Sequence, residues 1–174
     1  MGGDFPRKGG PDLLAAWRDA RLAGNATLDL VTDWPLSVEA IPAGVRLHRG
    51  IAPNTPEWTE LWRQADLFVM PTRNEAFGMV FQEAGAAGLP VVATRINAIP
   101  EIVQDRSTGI LVEPGDRGAL IDAMQTLIAS PELRYRMGSA ALDRARLFGA
   151  PDRYARRLET IIHSVLDNHG SITR

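Results

Sequence analysis

The sequence predicts an α/β domain: a mostly parallel sheet sandwiched between helices. Three observations lead there. Segments with helical and strand-like periodicity alternate along most of the chain, the pattern of successive β-α-β units. Leu67-Phe68-Val69-Met70 is a continuous apolar run, as expected of a strand covered on both faces. The chain has 174 residues, 45% of them hydrophobic and 23% charged. That is the size and composition of one globular domain able to bury a core without metal or disulfide staples.

The elements follow in order. Leu13, Leu14, Trp17 and Ala20 recur at helical spacing and predict a helix from Pro11 to Leu22. Strands are expected at Thr27–Thr32 and Val45–His48. A short helix at Pro56–Gln64 should turn Leu61 and Trp62 inward. Leu67–Met70 is the next strand, Pro71–Ala76 a loop, and Phe77–Ala87 a helix closed by Gly88 with Pro90 beyond it. After a strand at Val91–Thr94, Pro100-Glu101 opens a short helix, with proline in its first turn and an acid near its positive end. Gly109–Val112 is the last strand. Pro114-Gly115-Asp116 forms a turn whose aspartate can cap a helix over Arg117–Ala129. Further helices are expected at Pro131–Leu147 and Pro151–Asn168, broken at Ser130-Pro131 and Phe148–Pro151. At the other end, Gly3-Asp4-Phe5 reads as the close of a strand with almost no beginning, which suggests that residues are missing upstream.

Composition narrows the function classes. A net charge of −2 argues against a nucleic-acid partner, which calls for a basic face. The chain has no cysteine, so it has neither a disulfide framework nor thiolate chemistry, in keeping with a cytoplasmic protein. No apolar run approaches the roughly 18 residues of a membrane-spanning helix, and Met1–Pro6 lacks the basic start and apolar stretch of a signal peptide. His48, His163 and His169 show no metal-ligand spacing. The arginines from 134 to 157 alternate with acids and read as helix coats.

The chemistry concentrates between Leu67 and Val92. A strand, a loop and a helix meet there at the carboxyl end of a parallel strand, the edge where open α/β sheets bind ligands. In the helix from Phe77 to Ala87 only Gln82 and Glu83 are polar, and a helix apolar on most sides is expected to be buried on most sides. Glu83 falls between Met79 and Ala87 on the wheel, where a carboxylate needs partners: a backbone amide, an arginine, or ligand hydroxyls. Glu75 stands just before the helix. Between the two acids lies a helix N-terminus with N–H groups on Gly78, Met79 and Val80, an anion site that Gly78 lets a phosphate approach closely. Acid, anion site, acid is also the order of sugar hydroxyls, diphosphate and ribose hydroxyls in a nucleotide diphosphate sugar.

The segment Glu75-Ala76-Phe77-Gly78-Met79-Val80-Phe81-Gln82-Glu83 resembles the E-x7-E motif of retaining GT-B glycosyltransferases, especially family 4 (group 1). The resemblance continues through Ala84–Thr94, Ile99–Val103 and Thr108–Asp116, and covers Gly50, Ala65–Thr72 and the opening Gly2–Gly10. It implies a Rossmann-like fold, the C-terminal half of a GT-B enzyme, with residues 1–174 forming one nucleotide-sugar-binding domain and the N-terminal acceptor domain absent. It also implies roles. Glu75 would bond hydroxyls of the transferred hexose. Phe77, Gly78, Met79 and Val80 would line the diphosphate and sugar through backbone N–H groups, and Glu83 would hold the ribose. Lys8 would reach the diphosphate and, with Glu75, form the catalytic pair. Arg49-Gly50-Ile51 resembles the loop that contacts the base. Many relatives carry an arginine five positions before the lysine; Gly3 stands there in this chain, which leaves the second phosphate cation open, with Arg7 as the neighbour able to substitute. Glu101 stands near the sugar in relatives.

The resemblance further implies transfer with retention and without a metal or other cofactor. The partners would be a nucleotide diphosphate sugar and an acceptor domain or subunit across a cleft; any peripheral contact with a membrane would run through that absent half. Pro151–Asn168 would present Leu158, Ile161, Ile162 and Val165 to it. Three readings stay open at this point: an excised donor domain, the donor subunit of a split enzyme, and a non-catalytic interaction domain of the same fold.

Overall fold

The computed structural model describes residues 4–148. Two short parallel sheets carry the domain. In the first, β1 (Leu28–Val31) pairs with β2 (Val45–His48), Leu28 opposite Val45. The second has the order β3-β4-β5, from Phe68–Met70, Val91–Thr94 and Gly109–Val112. The helices are α1 (Gly10–Asp19), α2 (Pro56–Gln64), α3 (Met79–Ala86), α4 (Ile99–Ile102), α5 (Arg117–Ala129) and α6 (Pro131–Phe148); α3 and α4 supply the crossovers of the second sheet, and a 3-10 turn at Val38–Ala40 lies in that of the first. No helix among the described residues is long and apolar enough to cross a membrane.

Two apolar clusters lie on opposite faces of the second sheet. Leu13, Trp17, Leu120, Met124 and Leu127 of α1 and α5 pack with Val92 and Ile110. Phe81, Ala84 and Ile99 of α3 and α4 pack with Met70, Val91 and Leu111. Alternate strand residues thus feed alternate cores, and the central β4 is buried at all four positions.

Local signals account for most element ends. Thr55 caps α2 by accepting from the Trp58 N–H at 3.2 Å, and Asp116 caps α5 through Ala119 at 2.9 Å. Ser130 accepts from Leu133 at the start of α6. Gly9 has φ +76°, and a Cβ there would lie 1.9 Å from the Pro71 carbonyl oxygen. A Cβ on Gly10 would enter the Phe5 ring. This glycine pair lets the chain before α1 pass against the chain after β3.

Several expectations need correction. Asp4 and Phe5 lead into turns, with Lys8 N–H bonded to the Asp4 carbonyl at 3.0 Å, rather than closing a strand. The first helix ends at Asp19; Arg21 takes φ +52°, and Leu22 is buried from outside the helix. Phe68 and Val69 are only half-buried, because the outer edge of β3 borders a cavity. Trp62 does turn inward, packed against the cluster of α3 and α4, although it and Leu61 are half-buried. α3 starts at Met79, two residues later than its apolar pattern suggested, because Gly78 adopts a left-handed cap with φ +77°. The expected helix Pro151–Asn168, together with His163 and His169, lies outside the described residues.

Gly138 separates two opposing effects. Alanine is the better helix former by about 1 kcal/mol, but a Cβ on Gly138 would sit 2.1 Å from the Gly88 carbonyl oxygen. The contact wins: Gly138→Ala is expected to lower the urea midpoint. A midpoint unchanged or raised would show that α6 does not pack this tightly on the turn after α3.

Candidate functional site

The site lies at the carboxyl edge of the sheets, where the loop before α1 meets the loop after β3. Thr72, fully buried, joins them. Its hydroxyl lies 3.1 Å from both the Arg7 and the Asn74 carbonyl oxygens, its one proton serving either. The Arg73 N–H donates to Arg7 O at 2.8 Å, and the Arg73 guanidinium grips Asp12 through two bonds of 2.8 and 2.9 Å. From β4, the Thr94 hydroxyl donates to Thr72 O. A register fixed by a buried threonine and backbone bonds is stiff, and it places Lys8 against Glu75.

Lys8 Nζ donates to Glu75 Oε2, and both side chains are largely covered, at 18% and 13% exposure. Arg7 flanks the pair, bonded to Asp4 at 3.0 Å and to Asn74 O at 2.7 Å. Asn97 donates to Glu75 O at 3.0 Å. Burial pushes the Glu75 carboxyl up. The hydrogen bond and charge of Lys8, the charge of Arg7 and the Gly78 N–H outweigh it, leaving Glu75 below its ordinary value of 4.5.

The N-terminus of α3 opens beside this pair. The Gly78 N–H lies beside the Glu75 carboxylate and helps to hold it in its charged form. Met79 and Val80 occupy the first two helical positions, whose N–H groups have no intrahelical acceptor. Among the described residues, no other hydrogen bond engages them. Phe77 and Met79 are 55% and 65% exposed. The expectation that this helix is buried on most sides therefore fails at its first turn: its apolar start faces the open edge, while Phe81, Ala84 and Gly85 carry the burial.

Glu83 also departs from its sequence reading. It is exposed, and its carboxylate has no hydrogen-bond partner among the described residues. With Val80, Thr32, Asp33, His48 and Trp58 it lines a cavity of about 280 Å³. The cavity thus begins at the end of β1 and reaches the second turn of α3. Arg49 takes a bracing position: its guanidinium donates to the carbonyls of Trp34 at 3.0 Å and of Asp33 and Leu36 at 3.4 Å. Asp33 in turn accepts the Gly50 N–H at 2.7 Å, with Gly50 at φ +66°. Asp33, Trp58 and Asn97 were not singled out in the sequence; their only signal is position after a strand or a turn. Glu101 lies on α4 beside a different, small cavity lined by Phe81, Gln82 and Arg144. Gly3 lies outside the described residues.

The sequence matches a family model over residues 1–130, described as Glycosyl transferases group 1. The chain belongs to that family. Among curated relatives, the D-inositol 3-phosphate glycosyltransferase of Corynebacterium glutamicum is 41% identical over 101 residues, covering 58% of this chain and 24% of the relative. The N-acetyl-alpha-D-glucosaminyl L-malate synthase of Bacillus anthracis is 35% identical over 115 residues, covering 65% and 30%. The chain thus spans about a quarter of the length of the curated relatives it matches. Sucrose-phosphate synthase from Thermosynechococcus elongatus superimposes with a TM-score of 0.73 at 26% identity, over 94% of this chain and 43% of that one. A group 1 C-terminal domain from Francisella tularensis gives 0.73 at 24%, over 84% and 82%. The Anabaena protein HepE in complex with UDP-glucose gives 0.73 at 22%, over 92% and 47%. The fold of this group 1 chain is the Rossmann-like α/β fold of GT-B proteins, as the sequence predicted.

A lowered carboxylate contributes stability above its unfolded value, lost as pH falls through the folded one. For Glu75 that contribution is complete above 4.5 and fades below it. Glu75→Gln should therefore be less stable than the wild type at neutral pH, with the gap narrowing in thermal melts as pH is lowered below 4.5. A gap constant with pH would show that the Lys8 pairing has no weight in solution.

Proposed function

We propose that this chain is the donor half of a retaining family 4 glycosyltransferase, binding a nucleotide diphosphate hexose at the carboxyl edge of its sheets. The observation that carries the reading is the sequence of groups along that edge: the Lys8–Glu75 pair, the N–H groups of Met79 and Val80, then the cavity entered by Glu83. A diphosphate seated on the start of α3 takes its charge stabilisation from the helix end and from Lys8. Lys8 then shifts part of its bonding from Glu75 to phosphate, which frees Glu75 to accept from sugar hydroxyls. Phe77 and Met79 cover the sugar side. Glu83 accepts from the ribose, with Asp33 and Trp58 on the facing wall. Arg49 acts on the base only through the 33–36 backbone it braces.

In transfer, the bond between the anomeric carbon and the diphosphate oxygen breaks, and negative charge develops on that oxygen. Lys8 and the preorganised N–H groups stabilise it as it forms, so the reaction proceeds without a metal or other cofactor. An acceptor domain or subunit across a cleft supplies the nucleophile, and the chain alone is inactive. Likeness to a protein solved with UDP-glucose supports a uridine donor, and a cysteine-free chain fits a cytoplasmic setting.

Calorimetry with UDP, GDP and ADP and their glucose and mannose conjugates tests this directly. One nucleotide series is expected to bind, with affinity unchanged by EDTA. Glu83→Ala should weaken it by roughly tenfold or more, the scale of losing hydrogen bonds to a charged group. Binding to none of these ligands, or binding indifferent to Glu83→Ala, would sink the assignment. Robust sugar transfer by the purified chain alone would contradict the need for an acceptor half.

A further inference from the structure

Two hydrogen bonds among the described residues tie the loop after β3 to the end of β4 and the loop beyond it. At the start of the β3 loop, the buried Thr94 hydroxyl donates to Thr72 O. At its far end, the Asn97 amide donates to Glu75 O at 3.0 Å. The first tie is covered and belongs to the core. The second stands at the open edge, on an exposed residue.

The turn that carries Asn97 does not need its side chain. Its own bonds run through the backbone, from Ile96 N–H to Thr94 O and from Ile99 N–H to Ile96 O, each at 3.0 Å. Asn97 has φ +46°, a left-handed conformation that glycine takes freely and most side chains resist. Asparagine is among the few that tolerate it. Among the described residues, the amide bonds only across the gap, to Glu75. The turn is also firmly seated. Ile99 behind it is fully buried, and the Arg144 guanidinium of α6 donates to the carbonyls of Glu101 and, at 2.9 Å, Ile102 at the end of α4. Asn97 therefore reaches out from an anchored base.

The segment it holds has little else to fix it. The Asn74 carbonyl accepts from Arg7 at 2.7 Å and lies 3.1 Å from the Thr72 hydroxyl. Beyond it, Ala76 and Phe77 are exposed, so burial does not fix their backbone. Gly78 then turns left-handed at φ +77° into α3. The direction of a carbonyl sets the ψ of its own residue, because the peptide that bears it is planar. The bond to Glu75 O thus sets how the chain leaves Glu75, and with it where the carboxylate stands relative to Lys8.

We infer that Asn97 is a positioning residue: by holding the 75–76 peptide it keeps the Glu75 carboxylate on Lys8, in place for the sugar hydroxyls of a donor. The part that concerns the sugar rests on the donor reading proposed above. The hold on Glu75 stands on the geometry of the two loops alone.

The test is Asn97→Gly, which keeps the left-handed turn and removes the amide. The charges that act on Glu75 come from Lys8 and Arg7, and the loop after β4 adds the uncharged Asn97. Released from its tie, the carboxylate leaves Lys8 and the Gly78 N–H. Its titration, followed by NMR at the side-chain carboxyl carbon, should rise toward 4.5. Gly138→Ala, which weakens the fold at a distance from this loop, should leave that titration as in the wild type. In calorimetry, Asn97→Gly should weaken UDP-glucose by roughly fivefold, the scale of one hydrogen bond, and leave UDP unchanged. A Glu75 titration unmoved by Asn97→Gly, or moved equally by Gly138→Ala, overturns the inference. So does a UDP-glucose affinity that is unchanged, or that falls only as much as that of UDP. If neither ligand binds the wild type, the donor reading fails for uridine, and the titration alone decides whether Asn97 positions Glu75.

Discussion

The close passage of Gly9 over the Pro71 carbonyl governs the arrangement of the whole site. With a side chain at position 9, the loop before α1 could not lie on the loop after β3. Thr72 could then no longer reach the Arg7 carbonyl. Lys8 would lose Glu75, although the two are far apart in sequence. A local backbone freedom at one glycine thus becomes a long-range pairing of opposite charges, and that pairing sets the protonation of the acid. The buried Thr72 hub matters more to this geometry than any surface ion pair, since exposed pairs contribute about 0–1 kcal/mol.

The same edge shows why stability and chemistry divide the residues of α3. Phe81, Ala84 and Gly85 face the core and α6, where little can change. Phe77, Met79 and Glu83 face outward with scarcely any protein contact, an unusual use of two large apolar side chains. Folding gains little from them in that position. Under the proposed donor assignment a ligand covers them, together with a helix start that has no side-chain cap. Arg49 illustrates the converse: a cation at the rim spends its donors on three carbonyls and holds the 33–36 loop in place.

The regular elements were legible to the residue where boundary signals are chemical. Pro56–Gln64, Val91–Thr94, Gly109–Val112 and Arg117–Ala129 match, because proline, glycine and a capping aspartate act locally. The pairing of Lys8 with Glu75 was not readable from spacing, although each residue was singled out, because the contact depends on Gly9 and Thr72. Glu83 misled the helical wheel. Periodicity assumes that apolar residues are buried, whereas Met79 and Phe77 stand exposed at the open edge of the sheets. The gap between β1 and β3 left no trace either: an unpaired strand and a paired one have the same apolar pattern. The half-burial of Phe68 and Val69 is its structural signature.

The central claim is that the loops before α1 and after β3 form one coupled unit through Lys8 and Glu75. A double-mutant cycle on unfolding free energy, with Lys8→Met, Glu75→Gln and the double variant at neutral pH, measures that coupling. A covered, charge-assisted bond predicts a coupling of about 1 kcal/mol or more. Additivity within about 0.5 kcal/mol would contradict the account, since the two residues would then be neighbours without being partners.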